Sequence, residues 1–314
     1  MNFEGIIATP FGYLIDGIYR LVGDYGLTMI LFAIIVQSIM VPINLKTKKD
    51  AAIKRRLKPL IENIREEYKG DIDKQADLIS KLYKTEKISL LGGFILAILP
   101  FFVLIPIFQV IAQPITYMFH ESKDTANMII QIMYEQNAEW FPGSYNQVAA
   151  MAHIHECADL IRASGIEVSE RTLQGLSYDF LGIDMSVVLG THVIGNGVWA
   201  WDWAHIGALL LPVVYMSRRI IKLFGGMIRY LVDYTKRKKR AKKLCMTMPK
   251  APKPPLLGLW FLFLSVTAMA TVPVVMDLYW LSGSLFATFF GKLLTKLRGE
   301  KATAEVNAGY TESS

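Results

Sequence analysis

Basic residues fall in alternate gaps between the apolar stretches of this chain, and this distribution limits the folds that it can adopt. Residues 46–87 contain 13 Lys and Arg, and residues 218–253 contain 13 more. Residues 119–202 contain only 3 basic residues against 11 Asp and Glu. Because basic loops stay on the cytoplasmic side of a membrane while loops poor in Lys and Arg can cross it, the alternation predicts a membrane topology.

The composition agrees with a membrane protein. Hydrophobic residues make up 53% of the 314 residues and the mean hydropathy is +0.33, whereas soluble domains average about 45–50% apolar residues. The net charge of +7 lies beside the apolar runs, where it would meet anionic lipid or ribosomal RNA. Cys157 and Cys245 fall on opposite sides in this topology, so no disulfide is expected. The N-terminus lacks the pattern of a cleaved signal peptide.

The apolar runs predict an all-α polytopic membrane protein with five transmembrane helices. A helix needs about 20 mostly apolar residues to cross the hydrocarbon core. The last run, residues 256–294, is too long for one helix and is divided near Pro273. An odd number of spans fits an external N-terminus and a cytoplasmic C-terminus. The predicted spans are 27–45, 90–119, 203–224, 256–272 and 275–294. Three prolines are expected to kink the second of them.

The segment before the first span is predicted to carry an amphipathic helix. In residues 1–26, Leu14, Ile18 and Leu21 recur at helical spacing, while Asp16 lies off that face. We therefore expect an external helix that lies on the membrane surface.

The other connections have distinct characters. Residues 46–89 are predicted to form a cytoplasmic helical hairpin that turns at Gly70 and Asp71, because glycine ends helices and aspartate caps them. Residues 120–202 form an external segment, 225–255 a basic cytoplasmic loop and 295–314 a cytoplasmic tail.

The external segment has helical patterns around residues 124–137 and 147–164. His153 and His155 precede Glu156, but residues two apart point to different faces of a helix and no HExxH spacing exists. We interpret these histidines as structural or solvated. No metal, cofactor, catalytic triad or nucleotide motif is predicted, so the chain is not expected to be an enzyme.

Three stretches resemble the YidC-type membrane protein insertases of bacteria and their organelle relatives. They are Ile34–Pro42 in the first span, Leu82–Gly93 at the end of the hairpin, and Asp277–Phe286 at the start of the last span. With the topology, the resemblance covers most of residues 8–118 and 203–297. The chain looks like a divergent bacterial member, because the family usually places a basic residue where Gln37 stands, and because Ser89, Leu90 and Phe94 replace an Asn-Pro pair and a Cys.

This resemblance implies a membrane protein insertase and chaperone of the bacterial plasma membrane. Such proteins hold a client's polar segment in a hydrophilic intramembrane groove and release its apolar helix into the bilayer. The alternative for Gln37 is a helix–helix hydrogen bond, and Tyr279 and Trp280 are equally compatible with packing. Asp277 is expected to be interfacial rather than buried. The residues expected to line the groove are Gln37, Ser38, Asn44, Gln109, Gln113, Thr267, Tyr279 and Trp280, with Ser265 and Ser282 as further polar neighbours.

The basic run between the third and fourth spans has two interpretations, contact with anionic lipid or with the ribosome. The implied partners are nascent membrane-protein clients and anionic lipids, with the ribosome and the Sec translocon as further candidates. The run comprises Lys236, Arg237, Lys238, Lys239, Arg240, Lys242 and Lys243.

Two other classes of function are alternatives to an insertase. A non-catalytic assembly or scaffolding factor would use the external segment to bind a partner. A transporter is disfavoured, because the spans show no inverted repeat and no charged residue near a span midpoint.

Overall fold

The computed structural model describes residues 3–88, 90–141, 143–191, 202–243 and 256–311. These residues are mostly helical, which confirms the all-α prediction. A two-residue antiparallel hairpin pairs β1 (Asp179–Phe180) with β2 (Ile183–Asp184). The α-helices are α1 (Phe3–Val22), α2 (Tyr25–Glu67), α3 (Ile72–Thr85), α4 (Leu90–Ala112), α5 (Pro114–Tyr117), α6 (Lys123–Gln136), α7 (Asn146–His153), α8 (Ala158–Ala163), α9 (Glu170–Gln174), α10 (Trp203–Lys243), α11 (Leu256–Thr271) and α12 (Val274–Thr311).

Two helices in the described ranges have the length and apolar character needed to cross a bilayer. They are α2 and the Val274–Leu294 part of α12. The apolar stretches Phe102–Ala112 and Gly258–Thr271 are shorter. The number of spans and their orientation therefore stay predictions.

Helix α2 joins the first predicted span to the first arm of the hairpin without a break. It begins where the Asp24 carboxylate accepts a hydrogen bond from the backbone N–H of Leu27 at 2.7 Å. Its 43 residues correspond to about 65 Å of helix, roughly twice the thickness of the hydrocarbon core. One continuous helix thus extends from the apolar region into the hairpin.

The hairpin turns where the sequence predicts. Gly70 adopts φ of +109°, and the Asp71 carboxylate caps α3 by accepting from the backbone N–H of Lys74 at 2.9 Å. The buried core between the two arms is small. It consists of Leu57, Ile61 and Ile88, with Ile53, Ile79, Leu82 and Tyr83 packed at its edge.

Helix α10 is longer than expected. Residues 225–243 continue the helix, so this part of the predicted cytoplasmic loop is helical. This stretch contains no proline and is rich in Lys and Arg, which favour helix enough to offset Gly225 and Gly226. Residues 244–255, including Cys245 and the prolines, lie outside the described ranges.

The second predicted span ends as a helix at Ala112. Gln113 adopts φ −130° and ψ 61°, and Pro114 starts the short helix α5. Proline disfavours helical backbone in the residue before it, so Pro114 sets this break. Helix α4 continues through Pro100 and Pro106.

Residues 120–191 cover one end of the helical bundle. Tyr178 packs against Tyr25 at the start of α2, with ring centroids 5.2 Å apart. Gly26 has no room for a β-carbon, which would lie 2.2 Å from the Phe180 ring. The predicted helical patches are confirmed, as α6 and as α7 and α8 with the 3₁₀ turn Ile154–Cys157 between them.

Backbone hydrogen bonds fix this segment to the first turn of α12. The N–H of Val274 donates to the carbonyl of Val187 at 2.9 Å, and the N–H of Val275 donates to that of Met185 at 3.0 Å. Each bond satisfies one of the N–H groups that the first turn of a helix leaves without an intrahelical partner. The start of α12 is therefore closed by the 120–191 segment.

Helix α1 packs on the bundle with only part of the predicted apolar face. Ile15 and Ile18 are buried and Leu14 packs against the core, but Leu21 is 88% exposed, contrary to the prediction. Asp16, which was predicted to lie off this face, is only 4% exposed. The reason is that Asp16 is paired with arginines, which makes its burial tolerable.

Candidate polar site between helices α2, α10 and α12

Helix α12 contacts α2 closely at the level of Gln37. A β-carbon at Gly283 would lie 3.2 Å from Cγ of Gln37, so glycine is what permits this approach. Gln37 is half-buried, and its amide has no hydrogen-bond partner among the described residues. The amide therefore keeps unused donors and acceptors beside α12.

A second face of α12 receives basic side chains from α10. Arg218 donates to the hydroxyl of Thr288 at 3.2 Å, and the Lys222 ammonium lies 3.4 Å from the same oxygen. The Thr288 hydroxyl in turn donates to the carbonyl of Ser284 at 2.7 Å. Arg218 Nε is buried without a partner among the described residues. Two cations thus converge on one hydroxyl.

Arg219 connects α10 to α11 and, through an aromatic pair, to α12. Its guanidinium donates to Ser265 Oγ at 2.7 Å and lies 5.6 Å from the centre of the Tyr215 ring. Tyr215 stacks on Trp280 with centroids 6.4 Å apart. Cation–π contacts of this kind hold a guanidinium in place without neutralising it.

Two cavities open on different faces of α12, in the half away from the 120–191 segment. The first, between α10 and α12, is about 720 Å³ and is lined by Lys222, Ser284, Ala287, Thr288, Gly291, Lys292 and Lys296. The second, between α2 and α12, is about 440 Å³ and is lined by Ser38, Val41, Pro42, Leu45, Lys46, Lys49, Phe290 and Leu294. Both combine lysines with hydroxyl groups.

The residues predicted for the groove are only partly brought together. Gln37 and Ser38 lie on the α2 side, and Trp280 faces α10. The hydroxyl of Ser38 donates to its own helix at Ile34, and Thr267 does the same at Leu264. The other predicted residues are exposed Asn44 on α2, half-buried Gln109 and Gln113 at the α4–α5 break, and Tyr279, which is 5% exposed and packs on Phe32.

The site contains cations that the sequence analysis did not assign to it. Arg218 and Lys222 are one helical turn apart, and so are Ser284 and Thr288. This spacing was the available signal, since residues four apart share a helix face. The sequence does not show that these two helix faces contact each other, because Lys222 and Thr288 are 66 residues apart in the chain.

Asp277 corrects another prediction. It is fully buried in the first turn of α12, and neither carboxylate oxygen has a hydrogen-bond partner among the described residues. The expectation of an interfacial aspartate is therefore wrong. At this turn of α12, Val274 and Val275 are hydrogen-bonded to Val187 and Met185 of the 120–191 segment.

The basic run and the histidines lie outside this site. All seven basic residues from Lys236 to Lys243 are exposed on the last turns of α10. His153 pairs with Glu156 at 2.8 Å and stacks on Trp140, as a structural histidine does. No group of three metal-binding side chains occurs within the described ranges, where Cys157 is buried as a free thiol.

The fold and the site define a helical membrane protein with a polar, cationic site between apolar helices. Residues 17–163 match the family described as "60Kd inner membrane protein". Over 108 residues the chain is 35% identical to the membrane protein insertase YidC of Nitratidesulfovibrio vulgaris (strain DP4), covering 34% of this chain and 20% of that protein. The YidC of Paraburkholderia phytofirmans is 32% identical over 103 residues, which is 33% of this chain and 18% of its own.

The resemblance to the YidC-type family is thereby confirmed. The YidC of Geobacter sp. (strain M21) is 31% identical over 113 residues, 36% of this chain and 20% of that protein. The chain thus matches about a fifth of the length of these curated relatives. No solved structure gives a significant match.

Proposed function

We propose that this chain is a membrane protein insertase of the bacterial inner membrane. Five helices, α2, α4, α10, α11 and α12, cross the bilayer, with the N-terminus outside and the C-terminus in the cytoplasm. A client's polar segment enters a groove between α2, α10 and α12 from the cytoplasmic side. The client's apolar helix then leaves the groove sideways into lipid, and no covalent step is involved.

One observation carries this proposal: polar and cationic side chains occupy the half of the α12 region that lies opposite the closed end. The 120–191 segment is hydrogen-bonded to the start of α12. Thr288, the lysines that line the two cavities, and Gln37 of α2 lie beside later turns of α12. A site closed at one end and polar at the other supports entry from one side only.

The energetics are consistent with insertion without an energy-coupled motor. Moving an unpaired polar group into hydrocarbon costs several kcal/mol, which is the barrier to spontaneous insertion. The Gln37 amide offers hydrogen bonds partway across and lowers that barrier. Burial of the client's apolar helix then drives the reaction, at about 25 cal/mol per Å².

The similarity to the YidC proteins supports the same conclusion and the same class of partner. Nascent membrane proteins are the proposed clients. The exposed basic run on α10 suits a ribosome or an anionic lipid surface, and a Sec translocon is a further proposed partner.

Reconstitution of the purified chain alone into liposomes tests the proposal. A small single-spanning client is added, and its protection from external protease is compared with that in empty liposomes. We expect protection above the background, reduced by Thr288→Val together with Gln37→Leu. Thr271→Val is the matched control, because the Thr271 hydroxyl is exposed and bonds its own helix at Ala268. Background protection with several clients and a folded protein would contradict the proposal.

A second candidate is a non-catalytic assembly or scaffolding factor. A cleft of about 240 Å³ on the 120–191 segment favours it, because Trp140, His153 and Asp184 line that cleft with both aromatic and acidic groups. Under this alternative, Asp184→Ala with His153→Ala abolishes assembly of a partner while liposome insertion is absent in every variant.

A further inference from the structure

Two adjacent glycines lie inside helix α10, directly after the third proposed span. Glycine weakens a helix interior relative to alanine, so a consecutive pair there needs a reason. Close packing does not supply it, because a β-carbon on Gly225 or Gly226 would meet no neighbouring atom of the described residues within 4 Å. Sharp bends in helices occur at proline and at pairs of Gly or Ser. The pair therefore marks a position where α10 can bend.

The helix carries an exposed apolar stripe that passes these glycines. Ile221, Phe224, Ile228 and Leu231 recur at intervals of three and four residues and so share one face. All four are at least 40% exposed, and Val232 beside them is exposed as well. The first two belong to the proposed span, whose exposed face meets lipid. The stripe thus continues from lipid into residues 227–243, where a straight helix would expose it to water.

Positive charge dominates the same segment. Residues 227–243 contain 8 Lys and Arg and a single acidic residue, Asp233. Arg229 and Asp233 lie off the stripe on the other side of the helix, and the run from Lys236 to Lys243 is basic on all sides and exposed. Amphipathic helices with an apolar stripe and many Lys and Arg bind in the interface of anionic membranes.

The chemistry of this surface favours lipid over other partners of a basic helix. Single-stranded RNA is held by stacking on aromatic or guanidinium planes, whereas Ile228, Leu231 and Val232 are aliphatic. A second copy in the same membrane would run parallel, and packing stripe on stripe would bring two basic runs together, which repel. An anionic leaflet suits both features, since acyl chains cover the stripe and phosphates meet the Lys and Arg side chains.

We propose that α10 bends at Gly225 and Gly226 and that residues 227–243 lie on the cytoplasmic leaflet, bound to anionic phospholipid. The apolar stripe enters the acyl-chain boundary, and the basic run meets the lipid phosphates. A straight continuation over residues 225–243 would instead reach about 28 Å into the cytoplasm. The inference rests on the membrane placement given under the proposed function, and it does not depend on insertion activity.

Fluorescent labels at two positions of nearly equal exposure test the proposal in the full chain without any client. Ile228 is 57% exposed on the stripe, and Tyr230 is 55% exposed on the opposite face. Each is replaced by Cys and labelled, in a chain with Cys245→Ser that keeps the buried Cys157. The proteins are placed one copy each in lipid nanodiscs of phosphatidylcholine alone or of equal parts phosphatidylcholine and phosphatidylglycerol. Quenching of the label by aqueous acrylamide is measured.

We expect protection of the stripe label only where phosphatidylglycerol is present. There it should be quenched about fivefold less than the opposite label, since the acyl-chain boundary excludes the quencher. Gly225→Ala with Gly226→Ala should shift the segment toward the straight helix, about fivefold for each glycine, and restore quenching. Gly17→Ala, where a β-carbon also has room, is the control and should change nothing. Lys238→Gln with Lys239→Gln should weaken binding to the leaflet about fivefold for each charge.

Several outcomes would overturn the proposal. Equal quenching of the two labels with phosphatidylglycerol present would show a helix that projects into water. Protection of the stripe label only after ribosomes are added would assign the segment to RNA or a ribosomal protein. Protection only when two copies share one nanodisc would assign the stripe to a second copy. Normal insertion with equal quenching would refute this inference alone, whereas protection without insertion would support it while the proposed function fails.

Discussion

The guanidinium of Arg171 donates a hydrogen bond to the buried carboxylate of Asp16, which lies 155 residues earlier in the chain. Arg20 holds the other carboxylate oxygen at 2.9 Å. Burial acts to raise the pKa of Asp16, but hydrogen bonds to Arg171 and Arg20 and their charges outweigh it and lower the pKa. The pair fixes α9, in the 120–191 segment, to α1.

Replacing Asp16 by Asn should lower stability by about 1–2 kcal/mol at pH 7, because the two arginines lose a charged acceptor. A folded-state pKa below the unfolded value gives stability that is present above the unfolded pKa and is lost as pH falls through the folded one. The difference between the wild type and Asp16→Asn should therefore shrink below about pH 4. Thermal unfolding in detergent, followed by tryptophan fluorescence, measures it.

Asp159→Asn is the control, because the Asp159 carboxylate is fully exposed in its pair with Arg162. Exposed pairs contribute about 0–1 kcal/mol, so little change is expected. Equal losses in the two variants would show that the Asp16 pair has no special role.

The Asp16–Arg171 pair also shows what the sequence can and cannot predict. The helical patches around residues 124–137 and 147–164 and the turn at Gly70 follow from local signals and were predicted, whereas α9 and the β-hairpin were not. The burial of Asp16 could not be predicted, since its partner Arg171 is distant in sequence. Local periodicity places a polar residue on the solvent face unless a tertiary partner is known.

Gly12→Ala should destabilise the contact between α1 and α5. A β-carbon at Gly12 would lie 1.9 Å from the backbone carbonyl oxygen of Tyr117, which has no rotamer by which to move away. Overpacking of this kind costs about 1–3 kcal/mol. Gly17→Ala on the same helix meets nothing within 4 Å and should be neutral, or stabilising by up to about 1 kcal/mol. Matching melting temperatures for the two variants would contradict this account of the contact.

Removing the buried carboxyl of Asp277 should stabilise the protein. Leu has a similar branched shape and no polar atoms, so Asp277→Leu removes two unsatisfied oxygens and should add about 1–3 kcal/mol. Asp233→Leu, at an exposed position on α10, should give no such gain. If Asp277→Leu unfolds more easily than the wild type, the carboxyl has a stabilising partner after all. A stabilised variant with less insertion would assign the carboxyl to function, because functional residues often cost stability.

The candidate site illustrates a second limit of the sequence. The resemblance directs attention to Gln37 on α2, but the cations nearest the polar face of α12 come from α10. In the sequence, Arg218 and Lys222 lie near the end of the third predicted span, residues 203–224. Which neighbour they face depends on how α10 rotates against α12, and packing rather than local sequence sets that rotation.

Gln37→Arg should favour clients with acidic external tails. The side chain lies beside α12 at Gly283, so a guanidinium there adds one positive charge to the proposed groove. One charge pair is worth about 1 kcal/mol in a water-like setting, or about fivefold in insertion of an acidic-tail client over a neutral one. Ile39→Arg adds the same charge on a face that is 60% exposed and should not discriminate. Equal effects of Gln37→Arg on insertion of the acidic-tail and the neutral client would contradict this prediction.

The hairpin of α2 and α3 should receive the client or its targeting factor, and Leu57→Asp tests this without deletion. Leu57 is 2% exposed in the small core with Ile61 and Ile88, so a carboxylate there should separate the arms. Leu60→Asp places the same group one turn away, at a position that is 50% exposed, and should leave the hairpin closed. Limited proteolysis reports opening, and protease protection of a client reports insertion.

We expect Leu57→Asp to open the hairpin and to reduce insertion at least fivefold, while Leu60→Asp matches the wild type in both assays. Because the hairpin core is separate from the main core, the apolar helices should keep their melting temperature in both variants. Full insertion by a variant whose hairpin is open would show that client reception lies elsewhere, with the α10 basic run as the next surface to test. Loss of the helical melting transition would instead show that α2 transmits the disruption into the bundle, since it continues from one into the other.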